Sequence, residues 1–129
     1  MLTLGLTGRI WLCTAPVDGR KSFDGLAAVV TTQLGRDPLS GDLFVFKNRR
    51  GDRLKILAWM GDGFALYLRR LERGAFAFPS AEAEGAAEVG VTATELAMLL
   101  GGVELRTAQR RPRYRRPEVA APLAATTLT

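Results

Sequence analysis

Two apolar periods alternate along the first eighty positions, and the switches between them mark the predicted elements. Residues 9 to 14, RIWLCT, form a short strand-like run ended by the turn Pro16-Val17-Asp18-Gly19. From Phe23 the period changes. Phe23, Leu26, Ala27, Val30 and Leu34 stand three and four apart, one face of an amphipathic helix. Ser22 occupies its N-cap position, Asp24 its first turn, and Gly35 a C-terminal cap position. Pro38 makes residues 35 to 42, GRDPLSGD, a loop.

Three strand-like runs follow: LFVFK at 43 to 47, RLKILAW at 53 to 59 and FALYLRRL at 64 to 71. NRRGD joins the first pair and MGDG the second, where Asp62-Gly63 is a tight-hairpin signal. After ERG, the run AFAFP reads as a short further strand stopped by Pro79, and residues 80 to 90, SAEAEGAAEVG, as an acidic loop. Thr92 then reads as the N-cap of a short helix through Leu100, with Leu96, Leu99 and Leu100 inward and Gly101-Gly102 ending it. Beyond Val103-Glu104-Leu105 the composition shifts to six arginines and three prolines with little to bury, the signature of a disordered tail. The resulting expectation is an α+β fold. It is one domain over residues 1–105, an antiparallel meander of four or five strands with one amphipathic helix and a short C-terminal helix, and a basic tail over 106–129.

Length agrees with one core: 129 residues suit a single domain able to bury about two-thirds of its unfolded surface. Charge adds a class of partner. Eighteen Lys and Arg against thirteen Asp and Glu give +5 and a pI near 10.1. Arginine dominates the cations, and its planar fork suits phosphate or carboxylate. The absences narrow the chemistry. With no histidine, Ser-His-Asp and Cys-His catalysis, histidine bases and histidine-ligated zinc are excluded. Cys13, the one cysteine, allows no internal disulfide and reads as a packed thiol in a strand. The N-terminal MLTLGLTGRIWLCTAP fits neither a secretory signal nor a membrane span, which makes the cytoplasm the expected compartment.

The candidate chemistry is basic. GRKS at 19 to 22 fails the Walker spacing, which requires G-x-x-x-x-G-K-[ST] before a parallel-sheet helix. Arg20 and Lys21 still flank a helix N-terminus, where a phosphate is favoured, unless they pair with Asp18 and Asp24. KNRRGDRLK at 47 to 55 gathers five cations around a hairpin, and LRRLER at 68 to 73 adds three. Two hairpin reversals return the chain to the same end, so Arg49, Arg50, Arg53 and Lys55 should meet Arg69, Arg70 and Arg73 at one sheet edge. In the tail, Arg110, Arg111 and Arg113 with Tyr114 are expected to grip phosphates and stack on a base, unless this end is only a basic terminus with no defined target. Of Asp18, Asp24, Asp37, Asp42, Asp52 and Asp62, most stand next to Gly, Pro or Arg in turns, where aspartate is favoured locally, and no pair has metal-site spacing. No catalytic residue, metal or cofactor is assigned.

Three long words also carry a resemblance: RIWLCTAPVDGRKSFDGLAAVV, DPLSGDLFVFKNRRGDRLKILAWMGDGFALYLRRLERGAFAFP and TATELAMLLGGVE. Within them the order D-x-R-K-S-F-D-G-L, D-P-x-S-G-x-L-F-V-F, R-R-G-D-x-x-K and R-L-E-R-G-x-F closely resembles the TnpB-type accessory protein of insertion-sequence family 66, over residues 9 to 105. The sequence departs from that pattern in its alanine- and glutamate-rich 80–90 segment and in the end of its tail. The resemblance implies a helper in transposition, acting with a separate transposase, and carries over no catalytic residue. Together these readings predict a non-catalytic protein that engages nucleic acid, DNA of the element ends foremost, through its arginines. The alternatives are a module binding the transposase or another element-encoded protein, and a small metal-dependent nuclease in which several aspartates converge. No membrane or small-molecule substrate is expected.

Overall fold

The computed structural model describes residues 8–78 and 87–102. The element order is β1 (Ile10–Cys13), α1 (Phe23–Thr32), β2 (Leu43–Lys47), β3 (Arg53–Trp59), β4 (Phe64–Arg70), β5 (Glu88–Val91) and α2 (Ala93–Leu100). The five strands form one sheet in the order β4-β3-β2-β1-β5. The α+β class therefore holds, and β2, β3 and β4 form the expected meander.

The departure lies at β1. It pairs with β2 in parallel, Ile10 beside Leu43, and with β5 antiparallel, so the sheet is mixed. A strand followed by a helix and then a neighbouring strand favours this outcome, because the helix carries the chain back to the starting end. Residues 88 to 90, expected within the 80–90 loop, join Val91 to form β5. AFAFP is not a strand over its described residues. Instead Phe76 donates its N–H to the Gly51 carbonyl at 2.8 Å and buries its ring. Pro79, residues 80–86, Val103-Glu104-Leu105 and the tail lie outside the described residues.

Strand alternation divides the core between the two faces. On one, Ile10, Leu12, Leu43, Val45, Leu54, Ile56 and Ala58 pack with Leu96 and Leu99 of α2 and with Phe76. On the other, Cys13, Phe44, Phe46 and Leu57 pack against Leu26, Val29 and Val30 of α1. Full burial of each large side chain contributes about 1.5–3 kcal/mol, and Leu12, Leu26, Phe44, Phe46, Leu54 and Leu57 are completely enclosed.

The helix ends differ in how they are held. Thr92 Oγ1 accepts from the Glu95 N–H at 3.0 Å while Glu95 Oε1 accepts from the Thr92 N–H at 2.9 Å, a reciprocal capping box. Ser22 occupies the N-cap of α1 without a side-chain bond, and Phe23, placed by periodicity on the buried face, is exposed. Helix α1 stops at Thr32, short of Leu34. The Leu34 N–H reaches back to the Val29 carbonyl at 3.3 Å, and Gly35 then takes φ 64°, a left-handed conformation suited to glycine.

Candidate nucleic-acid interface

The basic end of the sheet is organised by Asn48. Its backbone N–H donates to the Arg53 carbonyl and its carbonyl accepts from Gly51. Its side-chain oxygen accepts from the Arg53 N–H at 3.0 Å, and its amide donates to Asp52 Oδ1 at 2.8 Å. Gly51 completes the turn with φ 79°. This local network leaves Arg49 and Arg50 exposed at the tip. The Asn48 amide holds the Asp52 carboxyl below its ordinary pKa, with smaller help from Arg50 and Arg53. Asn48 is not among the candidate residues that charge singles out; its signal in the sequence is an asparagine next to R-R-G-D, whose side chain can serve both hairpin strands.

A second loop is laid against this hairpin. Val17 bridges to Asn48 in parallel and donates its N–H to the Lys47 carbonyl at 2.9 Å. From there Asp18 folds an Asx turn onto Arg20: Asp18 Oδ1 accepts from the Arg20 backbone N–H at 2.9 Å and from Nε at 3.1 Å, and Oδ2 accepts from Nη2 at 2.9 Å. The Arg20 guanidinium holds the Asp18 carboxyl far below the usual carboxylate range. One concavity runs between this loop and the hairpin, bordered by Asp18, Gly19, Asn48, Arg49 and Arg50. A second begins at Gly19 and is bordered by Arg53, Lys55, Leu68, Arg70 and Glu72.

The β3–β4 ladder brings the two sequence clusters together. Arg53 stands directly opposite Arg70, Leu54 opposite Arg69 and Lys55 opposite Leu68. Alternation puts Arg53, Lys55 and Arg70 on the α1 face and Arg69 on the other. Arg70 also reaches Glu72 at 3.3 Å, and Arg73 is exposed in the turn that follows. Lys55 is committed elsewhere. Its Nζ donates to the carbonyls of Gly19 at 2.7 Å and Lys21 at 2.5 Å, so its ammonium fastens the loop that enters α1. Burial, and then the charge of Arg53, push the Lys55 pKa down. Lys21 itself is half-buried. Arg110, Arg111, Arg113 and Tyr114 lie outside the described residues.

The remaining charged cluster sits away from this end. Arg36 binds Glu88 with Nε at 2.7 Å and Nη2 at 2.6 Å, and its guanidinium lies 3.4 Å from the centroid of the Trp11 ring. Trp11 Nε1 donates to Asp42 Oδ2 at 3.0 Å, and the other Asp42 oxygen accepts from the Arg9 N–H. The Asp42 carboxylate thus reaches across to the β1 segment while its own N–H donates to Ser40 Oγ at 3.1 Å in the preceding turn, and Glu88 belongs to β5. Cys13 is buried, and desolvation pushes its thiol pKa up. Among the described residues no group of three or more Cys, Asp or Glu side chains is placed to hold a metal, and no helix is long and apolar enough to cross a membrane.

Comparison with known proteins joins these observations to a family. The family described as IS66 Orf2 like protein matches residues 8–110. Uncharacterized protein y4hO of Sinorhizobium fredii (strain NBRC 101917 / NGR234) is 40% identical over 109 residues, covering 84% of this chain and 92% of that protein. Uncharacterized protein y4jC of the same strain is 38% identical over 112 residues, covering 87% and 93%. No solved structure matches. The match spans β1 through α2 and includes the words carrying Asp18, the Asn48 hairpin and Arg70; the chain belongs to the IS66 Orf2-like family, whose role is accessory to transposition.

Proposed function

We propose that the protein is a non-catalytic transposition accessory factor that works in the cytoplasm, engaging the DNA of its element's ends through the arginine-bearing end of the β2–β3–β4 meander. The observation that carries this reading is Arg53 facing Arg70 across the ladder, with Arg49 and Arg50 exposed at the adjoining tip. Like charges directly opposite one another cost a sheet stability. A polyanion laid along this end offsets that cost and releases its counterions. Arg20 lies on the loop that shares the concavity with Arg49 and Arg50, and transfers from Asp18 to a phosphate when one arrives. Lys55 contributes by fixing that loop, and Arg69, Arg73 and the tail segment Arg110, Arg111, Arg113 and Tyr114 extend the contact.

The test is a salt-series binding titration on element-end duplex and scrambled duplex. Wild type should bind with log affinity falling linearly with log salt, and Arg49→Ala/Arg50→Ala/Arg53→Ala should flatten that slope by about three units. Preference for the element end adds base or shape recognition. Equal, negligible binding by both proteins refutes the DNA reading and assigns these arginines to an acidic surface on the transposase.

A further inference from the structure

Strand β4 is a long apolar edge. All seven residues of Phe64–Arg70 pair with β3, and no strand lies on the other side among the described residues. Its first five positions, Phe64-Ala65-Leu66-Tyr67-Leu68, carry no charge and no proline, and Leu68 is 60% exposed. Natural edges are protected by brevity, charge, proline or a bulge. The opposite edge follows that rule: β5 has four residues, begins with Glu88 and contains Gly90. Along its first five positions β4 has no such device.

The turn before β4 fixes which of its backbone groups are free. The Met60 N–H donates to the Gly63 carbonyl at 2.8 Å, closing a two-residue turn in which Gly61 takes φ 98°. Gly63, Ala65, Tyr67 and Arg69 therefore turn their backbone groups toward β3, and Phe64, Leu66, Leu68 and Arg70 turn theirs outward. The side chains of these last four lie on the α1 face, where Phe64 and Leu66 pack beside the core.

We infer that β4 is a self-pairing edge, on which a second copy of this chain adds its own β4 antiparallel about a two-fold axis at Leu66. Complementarity within the strand argues for that occupant. Centring on Leu66 sets Leu68 against the partner's Phe64, and brings Arg70 beside the partner's β3–β4 turn, which carries Asp62. Shifting the centre to Tyr67 sets Glu72 against the partner's Asp62, a like-charge contact. Parallel, in-register pairing stacks Arg69 and Arg70 upon their own copies. Of these arrangements the Leu66-centred one brings opposite charges together; it continues the sheet through both copies and covers Leu68.

Sedimentation equilibrium of the nuclease-treated full chain tests this. Wild type should have the mass of a dimer, and Leu68→Lys, an exposed position, that of a monomer with unchanged circular dichroism. Asp62→Arg should raise the dissociation constant about tenfold, since the contact occurs twice per dimer. Asp62→Arg/Arg70→Asp, which restores opposite charges, should recover it. A wild-type monomer at about 100 μM overturns the inference, as does a dimer indifferent to Leu68→Lys. A double variant that fails to recover overturns the Leu66 register. A dimer lost on nuclease treatment alone assigns the association to nucleic acid instead.

Discussion

The Arg36 guanidinium carbon lies over the Trp11 ring, 3.4 Å from its centroid, while the same side chain binds Glu88, 52 residues away in sequence. This pair connects the exit of α1 to β1 and β5, so one side chain joins three elements.

Arg36→Ala should therefore destabilise the fold by about 2 kcal/mol, because it removes a charge-assisted bond and leaves Glu88 largely buried without its cation. Arg36→Lys should recover only part of the loss, since an ammonium neither stacks on the ring nor presents two donors to Oε2. Urea unfolding monitored by tryptophan fluorescence measures both.

Gly90 is where the Trp11 ring passes over β5. A Cβ there would stand 3.2 Å from Trp11 Cζ3, tighter than ordinary contact. The ring cannot give way freely, being held by Asp42 at its indole N–H and by Arg36 on its face. Gly90→Ala should cost about 1 kcal/mol despite the better strand propensity of alanine, and Gly90→Val more. Thermal unfolding decides, and a stabilised Gly90→Ala would show that the ring moves.

Asn48→Ala should loosen the β2–β3 hairpin by about 1–2 kcal/mol, as both side-chain bonds are lost. It should also return the Asp52 pKa toward its ordinary value. Because the folded Asp52 pKa is depressed, its contribution is complete above the unfolded carboxylate range, about pH 4, and drains away as pH falls through the folded value. Wild type should lose that contribution on acidification and Asn48→Ala should not. Carboxyl NMR titration of the two proteins reads this directly.

The two helix starts make a matched pair. Thr92→Ala breaks a capping box and should cost about 1 kcal/mol, whereas Ser22→Ala removes no side-chain bond and should be nearly neutral. Urea midpoints of the two variants test the contrast. An equal cost would mean that the Ser22 hydroxyl does cap α1.

Much of this protein was legible in its residues. Local patterns predicted β2, β3 and β4, because alternation and glycine turns are short-range signals, and Thr92 with Leu96 and Leu99 announced α2. The meander also placed Arg53 and Arg70 at one end, since hairpin arithmetic needs only loop lengths. What the residues did not disclose depends on contacts between distant segments. The parallel seating of β1 beside β2, the strand made by Val89 and Val91 against β1, and the docking of Phe76 on Gly51 each have partners more than 20 residues away. The same holds for chemistry. Sequence could count the cations of residues 47 to 55, but only the fold decided that Lys55 fastens the Gly19 loop while Arg53 stays exposed. Side-chain type fixes what a group can bond, and tertiary packing fixes which of those bonds is already taken.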